Sequence, residues 1–169
     1  RLDGDQFFAL RRFGDQLLCF KRNKIWRITG LNPGEYTMHE QYGYGTELPN
    51  TICVDGERVF MVTSDGVAVY DGMNTKAYAK DQTEQIWRTV NKAAIDQVCA
   101  TLFERRLYVA IPTGNSTVNN AMLVYDIDAG NILYYPGIMI EAFMPVDGEL
   151  FATSSSIPGK IIRIHHDSW

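Results

Sequence analysis

The chain has 169 residues, of which 46% are hydrophobic, and this is enough for one domain with a substantial core. Its 16 basic and 20 acidic residues give a formal net charge of −4, so we expect no specific binding to nucleic acid, which normally requires a clustered basic surface. Because no apolar run approaches the ~18 residues that cross a bilayer, we expect neither membrane association nor a signal sequence.

Three cysteines lie far apart in the chain, at Cys19, Cys53 and Cys99, without a CxxC pair. We expect them to be reduced and buried, as in a protein made in a cytoplasm. The sequence begins at Arg1 rather than at methionine, so we expect it to be a segment of a longer polypeptide.

The stretch 7–45 predicts two or three strands followed by a segment rich in tyrosine and glycine. The polar tip Arg22-Asn23 between apolar arms predicts a tight hairpin, because asparagine accommodates a positive φ. The tyrosines of this stretch favour an outer strand over a ligand platform, since flat side chains can cover neighbouring aliphatic groups. They are Tyr36, Tyr42 and Tyr44.

The stretch 46–80 contains the clearest hairpin, in which Ser64-Asp65-Gly66 joins two arms rich in β-branched residues. It is followed by a helical window at 82–91. There Asp81 can cap the N-terminus and Glu84 completes a pattern like a capping box.

The stretches 98–135 and 142–166 return to strands. In the first, the polar loop 112–120 separates two apolar arms and is a candidate contact element. The tripeptide Val124-Tyr125-Asp126 repeats Val69-Tyr70-Asp71 at the same point of its hairpin, which indicates true repeats.

Four strand openings recur along the chain, at Leu17, Val59, Leu107 and Leu150, with separations of 42, 48 and 43 residues. A period of about 40–50 residues with several strands per unit is typical of β-propeller blades. The sequence therefore predicts an all-β fold of β-propeller-like antiparallel hairpins, with about four blades or part of a larger propeller, and one short helix. We expect residues 1–169 to form a single domain or segment of that kind.

Catalytic and metal-binding patterns do not emerge from the sequence. His165 and His166 are adjacent, and adjacent side chains on a strand point to opposite faces, a poor geometry for one metal ion. The run from Asp126 to Asn131 resembles a calcium loop superficially but lacks the ligands of the EF-hand pattern, so we interpret it as a turn. We expect no enzymatic activity, no metal and no cofactor.

The order of segments between residues 3 and 125 resembles a group of tailed-bacteriophage virion proteins with β-propeller folds, which includes head–tail connector stabilization and tail-hub proteins. The resemblance is carried by Asp3-Gly4-Asp5, Leu17 to Lys21, Ile25 to Gly30, Tyr42-Gly43-Tyr44-Gly45, Asn50-Thr51-Ile52 and Ser64 to Gly72.

This resemblance implies a structural role in the tail or head–tail connector of a virion, after synthesis in the cytoplasm of a bacterial host. It also implies contacts with other virion proteins and assembly into a symmetric homo-oligomer. Polar tips of the hairpins are the expected contact surface. They are Lys21, Arg22, Asn23, Lys24, Asn115, Ser116, Thr117, Asn119 and Asn120.

A carbohydrate- or ligand-binding propeller is the alternative. Aromatic residues make up 12% of the chain and permit stacking on sugar rings. The candidates are Trp26, Trp87, Tyr36, Tyr42 and Tyr44. A hydrolase would require catalytic residues beyond this sequence.

Overall fold

The structure is a computed structural model that describes residues 5–157 and 159–164, with the side chain of Pro33 excepted. The described residues form four antiparallel sheets and one α-helix, so the fold is all-β and β-propeller-like, as predicted. We call the sheets blades 1 to 4 in chain order. The chain divides into two compact units, Arg1–Glu84 with blades 1 and 2 and Gln85–Trp169 with blades 3 and 4.

In the first unit each blade has four strands that follow one another in sequence order. Blade 1 consists of β1 (Ala9–Phe13), β2 (Gln16–Phe20), β3 (Lys24–Thr29) and β4 (Thr37–Tyr42). Blade 2 consists of β5 (Cys53–Val54), β6 (Val59–Thr63), β7 (Gly66–Tyr70) and β8 (Thr75–Tyr78). Short 3-10 helices at Pro33–Glu35 and Pro49–Thr51 lie in the connections.

In the second unit blade 3 has four strands and blade 4 has three within the described residues. Blade 3 consists of β9 (Cys99–Phe103), β10 (Arg106–Ile111), β11 (Ala121–Asp126) and β12 (Ile132–Pro136). Blade 4 consists of β13 (Ala142–Val146), β14 (Glu149–Thr153) and β15 (Ile161–Ile164). A 3-10 helix, Lys92–Gln97, precedes blade 3.

The tight turns follow the local sequence. Thr63 pairs with Gly66 across the predicted hairpin, so the turn forms where predicted, with Ser64 and Asp65 as its two central residues. The positive φ of 143° belongs to Gly66, the first residue of β7, and not to the two turn residues. At the tip of blade 1, the Lys21 amide donates to the Lys24 carbonyl oxygen at 3.0 Å, so the turn forms where predicted. Asn23 is not one of the residues with a positive φ, so the reason given for that turn was wrong.

The helix α1 is Lys80–Arg88, two residues earlier at its start than the predicted window. Asp81 lies inside its first turn rather than at the N-cap, and the preceding Ala79 has a φ of 52°. Thr83 and Trp87 are both buried, so the inward face of the helix is set by these residues at helical spacing.

Each unit has a core between the facing sheets of its two blades. In the first unit Leu18 and Phe20 of blade 1 pack with Met61 and Tyr70 of blade 2. In the second unit Tyr108 and Met122 belong to blade 3 and pack with Leu150 and Ala152 of blade 4. Burial raises the pKa of the Tyr70 and Tyr108 hydroxyls, as expected for phenols held inside these cores.

The three cysteines are buried and not joined in disulfides. Burial raises the pKa of the Cys19 thiol, which favours the protonated, unreactive form. No helix among the described residues has the length and hydropathy needed to traverse a lipid bilayer.

Candidate functional site

The hairpin tip of blade 1 presents only part of the predicted contact surface. Lys21 is 1% exposed, and its ammonium lies 4.7 Å from the centroid of the Phe7 ring, so its assignment as a surface contact residue was wrong. Lys24 is held by the Glu40 carboxylate and the Tyr42 ring. Arg22 and Asn23 are exposed, and Arg22 forms a 2.9 Å ion pair with Glu47.

The loop 112–120 is held inward by its asparagines. Asn119 is 4% exposed and donates to the carbonyl oxygens of Gln97 and Ile140 at 2.7 and 2.8 Å, so its assignment to the contact surface was wrong too. The Asn120 carboxamide oxygen accepts from the amide and the hydroxyl of Thr113 at 2.7 and 2.9 Å. These bonds tie the end of the loop to its start and to the segments that contain Gln97 and Ile140.

Three predicted residues of that loop lie nearer to solvent. Asn115 and Thr117 are exposed, and Ser116 is half-buried. The Ser116 carbonyl oxygen accepts from Asn91 at 2.9 Å, and its hydroxyl donates to Val118 at 2.7 Å. The exposed part of the loop is therefore short and braced by its neighbours.

Aspartates close equivalent turns in blades 2 and 3. The carboxylate of Asp71 accepts from the amides of Met73 and Asn74, and that of Asp126 accepts from the amides of Asp128 and Ala129. These bonds to backbone N–H groups lower the pKa of both carboxyls, and Arg106 lowers that of Asp126 further. The run from Asp126 is thus a turn, as predicted.

The histidine and acidic side chains that the structure describes do not converge. Among residues 5–157 and 159–164 no three of His, Cys, Asp and Glu are placed to hold a metal ion. His39 is exposed on β4, while His165 and His166 lie outside the described residues. Asp128 forms a 2.8 Å ion pair with Arg105.

The tyrosine- and glycine-rich stretch forms the outer strand β4 and its exit, as favoured by the sequence. Tyr36 and Tyr42 are 56% and 75% exposed, whereas Tyr44 packs against the core of the first unit. Gly45 passes so close to the hairpin tip that an added Cβ would lie 2.1 Å from the Lys21 carbonyl oxygen. Trp87, another stacking candidate, is 3% exposed and donates its indole N–H to the Tyr125 hydroxyl at 3.2 Å.

The outer face of blade 1, the side turned away from blade 2, is largely apolar and partly exposed. The register places Arg12, Leu17, Ile28 and Met38 side by side across the four strands of this face. Leu17 is 39% exposed and Met38 is 53% exposed. The next row across the strands adds Leu10, Cys19, Trp26 and Glu40.

The outer face of blade 4, the side turned away from blade 3, has the same character. Met144 pairs in register with Phe151, which pairs with Arg163. Met144 is 50% exposed, Ile161 is 63% exposed, and Phe151 is half-buried. Glu149 forms an ion pair with Arg163 beside them.

These two end faces correspond to positions that are buried in other blades. The strand-opening residue is 0% exposed at Val59, 1% at Leu107 and 1% at Leu150, but 39% at Leu17. The following residue is fully buried at Leu18 and Phe60 and half-buried at Phe151. Sequence reasoning missed the end faces, because equivalent strand openings do not show which of them the fold leaves exposed.

A surface cleft of about 420 Å³ lies at one end of blade 4. Its lining includes Glu141, Thr153 and Lys160. The two charges and a few hydroxyls around it form no arrangement for acid–base or nucleophilic chemistry.

Comparisons with known proteins bear on the fold. No protein-family model matches the chain, and no curated protein matches it. The chain is similar to the crystal structure of the computationally designed Ika4 protein, with a TM-score of 0.57 and 12% identity over 98% of this chain and 96% of that one.

It is also similar to part of PorZ, a bacterial surface component of the type-IX secretion system of Porphyromonas gingivalis, with a TM-score of 0.53 and 10% identity. That match covers 95% of this chain and 23% of PorZ. At such low identities the two likenesses show the fold alone.

Proposed function

We propose that the chain is a structural, non-enzymatic assembly component of a tailed-phage virion, in the tail or the head–tail connector, and that it works through protein–protein contacts. The observation that supports this role is the pair of apolar end faces on blades 1 and 4. Leu17, Met38, Met144 and Ile161 are each at least 39% exposed on them.

Exposed apolar patches on folded domains are typical of protein–protein contact sites. Each end face has the composition of the centre of an interface, with aliphatic, aromatic and methionine side chains in the middle and an ion pair at its margin. Those pairs are Lys24–Glu40 on blade 1 and Arg163–Glu149 on blade 4. A β-sheet holds such side chains in fixed positions, which limits the entropy lost on association.

The assignment to a phage particle rests on the order of segments between residues 3 and 125. Two of the segments that carry the resemblance include the hairpin turn before Gly66 and Gly45, which passes close to the tip of blade 1. The remaining virion proteins are the proposed partners.

The proposed role can be tested on purified particles of the virus that encodes the chain. They would be purified by density gradient, and the copies of this chain per particle measured by mass spectrometry against the major capsid protein. We expect several copies per particle, co-migrating with intact virions. Recovery of the chain only in the soluble host lysate, with none in the particles, would reject a virion role.

Carbohydrate binding is a second candidate, supported by the exposed rings of Tyr36 and Tyr42 beside polar groups. The Tyr42 hydroxyl donates to Glu40 at 2.8 Å, which places a carboxylate next to a ring that is 75% exposed. A glycan array probed with the wild-type chain and with Tyr42→Ala tests it. Binding that is lost in Tyr42→Ala supports this candidate, and the absence of any glycan signal argues against it.

A further inference from the structure

We infer that the outer face of blade 4 docks on the outer face of blade 1 of a second copy of this chain, in a head-to-tail arrangement. This inference rests on the assembly role proposed above and names the partner. It follows from what the chain does inside each unit, where one blade covers the next.

The faces that meet within a unit define which sides of a blade pair. Blade 2 presents Val59 and Tyr70 to blade 1, and blade 4 presents Leu150 and Ile164 to the core that it shares with blade 3. The equivalent pair on blade 1 is Leu17 and Ile28, which lie opposite each other in register. The exposed side of blade 1 is therefore the side on which a preceding blade would pack.

The opposite side of a blade shows the same correspondence. Leu18 on blade 1 and Tyr108 on blade 3 face the following blade and are 0% and 4% exposed. Phe151 takes this position on blade 4, with Met144 and Arg163 beside it in register. The outer face of blade 4 is thus equivalent to the face with which a blade packs on the blade that follows it. The outer face of blade 1 is equivalent to the face that such packing covers, so the two faces can pair.

The packing of blade 1 on blade 2 also indicates which polar groups would meet in the proposed contact. There Arg27 donates to the carbonyl oxygen of Gly72 at 3.3 Å. By repeat position, Arg163 on blade 4 corresponds to Arg27, and Gly30 of the second copy corresponds to Gly72. The pairing thus gives the Arg163 guanidinium a backbone acceptor at the interface.

Charge supports the same pairing. Gln16 accepts a 3.3 Å hydrogen bond from the Tyr70 hydroxyl across the two blades of the first unit. Glu149 is the equivalent of Gln16, so the pairing brings its carboxylate to the row of the second copy that contains Arg12. The Arg12 side chain is exposed and its Nε donates to the Gly14 carbonyl oxygen. The carboxylate, which is paired with Arg163 in its own chain, then lies on the same row as Arg12 but two strands away from it, so the attraction between the two is long-range.

A head-to-tail contact uses two different surfaces of each copy, so it produces a closed ring or an open filament. Substitutions on only one of the surfaces leave the other able to pair. Pairing of a face with itself would not behave in this way, so substitutions on one face at a time distinguish the two arrangements.

The variants are Leu17→Glu on blade 1 and Met144→Glu on blade 4, each of which places an unpaired charge in the contact. Met73→Glu is the matched control, because Met73 is 69% exposed in a turn outside both faces. Circular dichroism establishes that each variant is folded, and sedimentation velocity with light scattering gives its mass. We expect the wild-type chain and Met73→Glu to form assemblies larger than the 19.2 kDa monomer.

Leu17→Glu and Met144→Glu should each be monomeric, with the dissociation constant raised at least ~100-fold. Mixed together in equal amounts, they should form a complex of only two chains, since one intact pair of faces remains. Leu10→Glu, at a residue that is 56% exposed on the same face, replaces Leu17→Glu if the latter does not fold.

A monomeric wild-type chain at ~100 µM would overturn the inference, as would assembly by either variant alone or failure of the mixture to pair. A monomer that is nevertheless found in virus particles would leave the proposed virion role standing, with another protein on the end faces. Head-to-tail assemblies formed by a chain that is absent from particles would support the pairing and reject the virion role.

Discussion

At the residue scale, the close approach at Gly45 is the tightest constraint in the first unit. A Cβ there would lie 2.1 Å from the carbonyl oxygen of Lys21 and 2.5 Å from the amide nitrogen of Lys24. These are backbone atoms of the hairpin tip, so they can move away only if the turn deforms. Glycine is needed here because of space and not because of a positive φ.

We therefore expect Gly45→Ala to lower the free energy of unfolding by about 2–3 kcal/mol, the cost of forcing extra volume into a packed site. Urea unfolding followed by the fluorescence of Trp26 measures this change. Gly34→Ala is the control, since no atom lies within 4 Å of its added Cβ, and a change within about 0.5 kcal/mol is expected there. Equal losses in the two variants would contradict the steric explanation.

Lys21 and Asn119 show why some residues could not be placed from the sequence. Both stand in polar runs next to turns, where charged and amide side chains are ordinarily solvated. Lys21 is buried because Phe7, fourteen residues earlier, supplies a ring for its ammonium. Asn119 is buried because two carbonyl oxygens more than twenty residues away accept from its amide. Such partners are set by the tertiary fold.

At the scale of the elements, the loop 112–120 depends on Asn119 for its attachment. Replacement by alanine leaves the buried carbonyl oxygen of Ile140 and the part-buried one of Gln97 without this donor, so we expect Asn119→Ala to lower the free energy of unfolding by about 1–3 kcal/mol. Chemical denaturation measures it. Asn115→Ala, at an exposed position of the same loop, should change stability by less than about 0.5 kcal/mol. A stable Asn119→Ala variant would show that the loop is held by other contacts.

The aspartates of the two equivalent turns make the stability of the fold depend on pH. The pKa of Asp71 and of Asp126 in the folded chain lies below the ordinary value of 3.8, because backbone amides donate to each carboxylate. A carboxyl group whose pKa is lower in the folded than in the unfolded state stabilises the fold at pH values above its unfolded-state pKa. This contribution is lost as the pH falls through its folded-state pKa.

We therefore expect the urea midpoint of the wild-type chain to decrease below about pH 4, and to decrease less in the double variant Asp71→Asn/Asp126→Asn. Denaturation series at pH 7 and pH 3 measure the difference. Asp65→Asn is the control, because this exposed turn residue donates to the Thr63 hydroxyl through its backbone amide, which the substitution retains. The same acid dependence in the double variant and in the wild type would show that these turns do not contribute.

Hairpins were more predictable than the helix, for a physical reason. A two-residue turn is decided by the few residues in and beside it, so Ser64-Asp65-Gly66 was sufficient to predict where the second hairpin turns. The helix Lys80–Arg88 is short, and its start depends on how Ala79 leaves the preceding strand with a positive φ. A capping pattern read from Asp81 and Glu84 cannot include that exit, so the predicted bounds were displaced.

At the scale of the whole molecule, repeat spacing predicted the all-β, propeller-like class because every blade must build the same hairpins to bury its faces. The spacing alone does not show which faces of a blade the fold buries. Leu17 and Leu107 are equivalent in sequence, yet they are 39% and 1% exposed. What differs is how far the fold buries the face, and the residues of the strand itself do not encode this.

The end faces give a last prediction, on thermal stability. Association of folded chains stabilises them by mass action, so the unfolding temperature of the wild-type chain should rise with protein concentration, by about 2 °C for each tenfold increase. Scanning calorimetry from ~5 to ~500 µM measures the trend. Met144→Glu should show no trend, because the charge prevents docking, whereas Met73→Glu should behave like the wild type. A transition that is independent of concentration in all three would mean that the end faces of this chain do not bind one another.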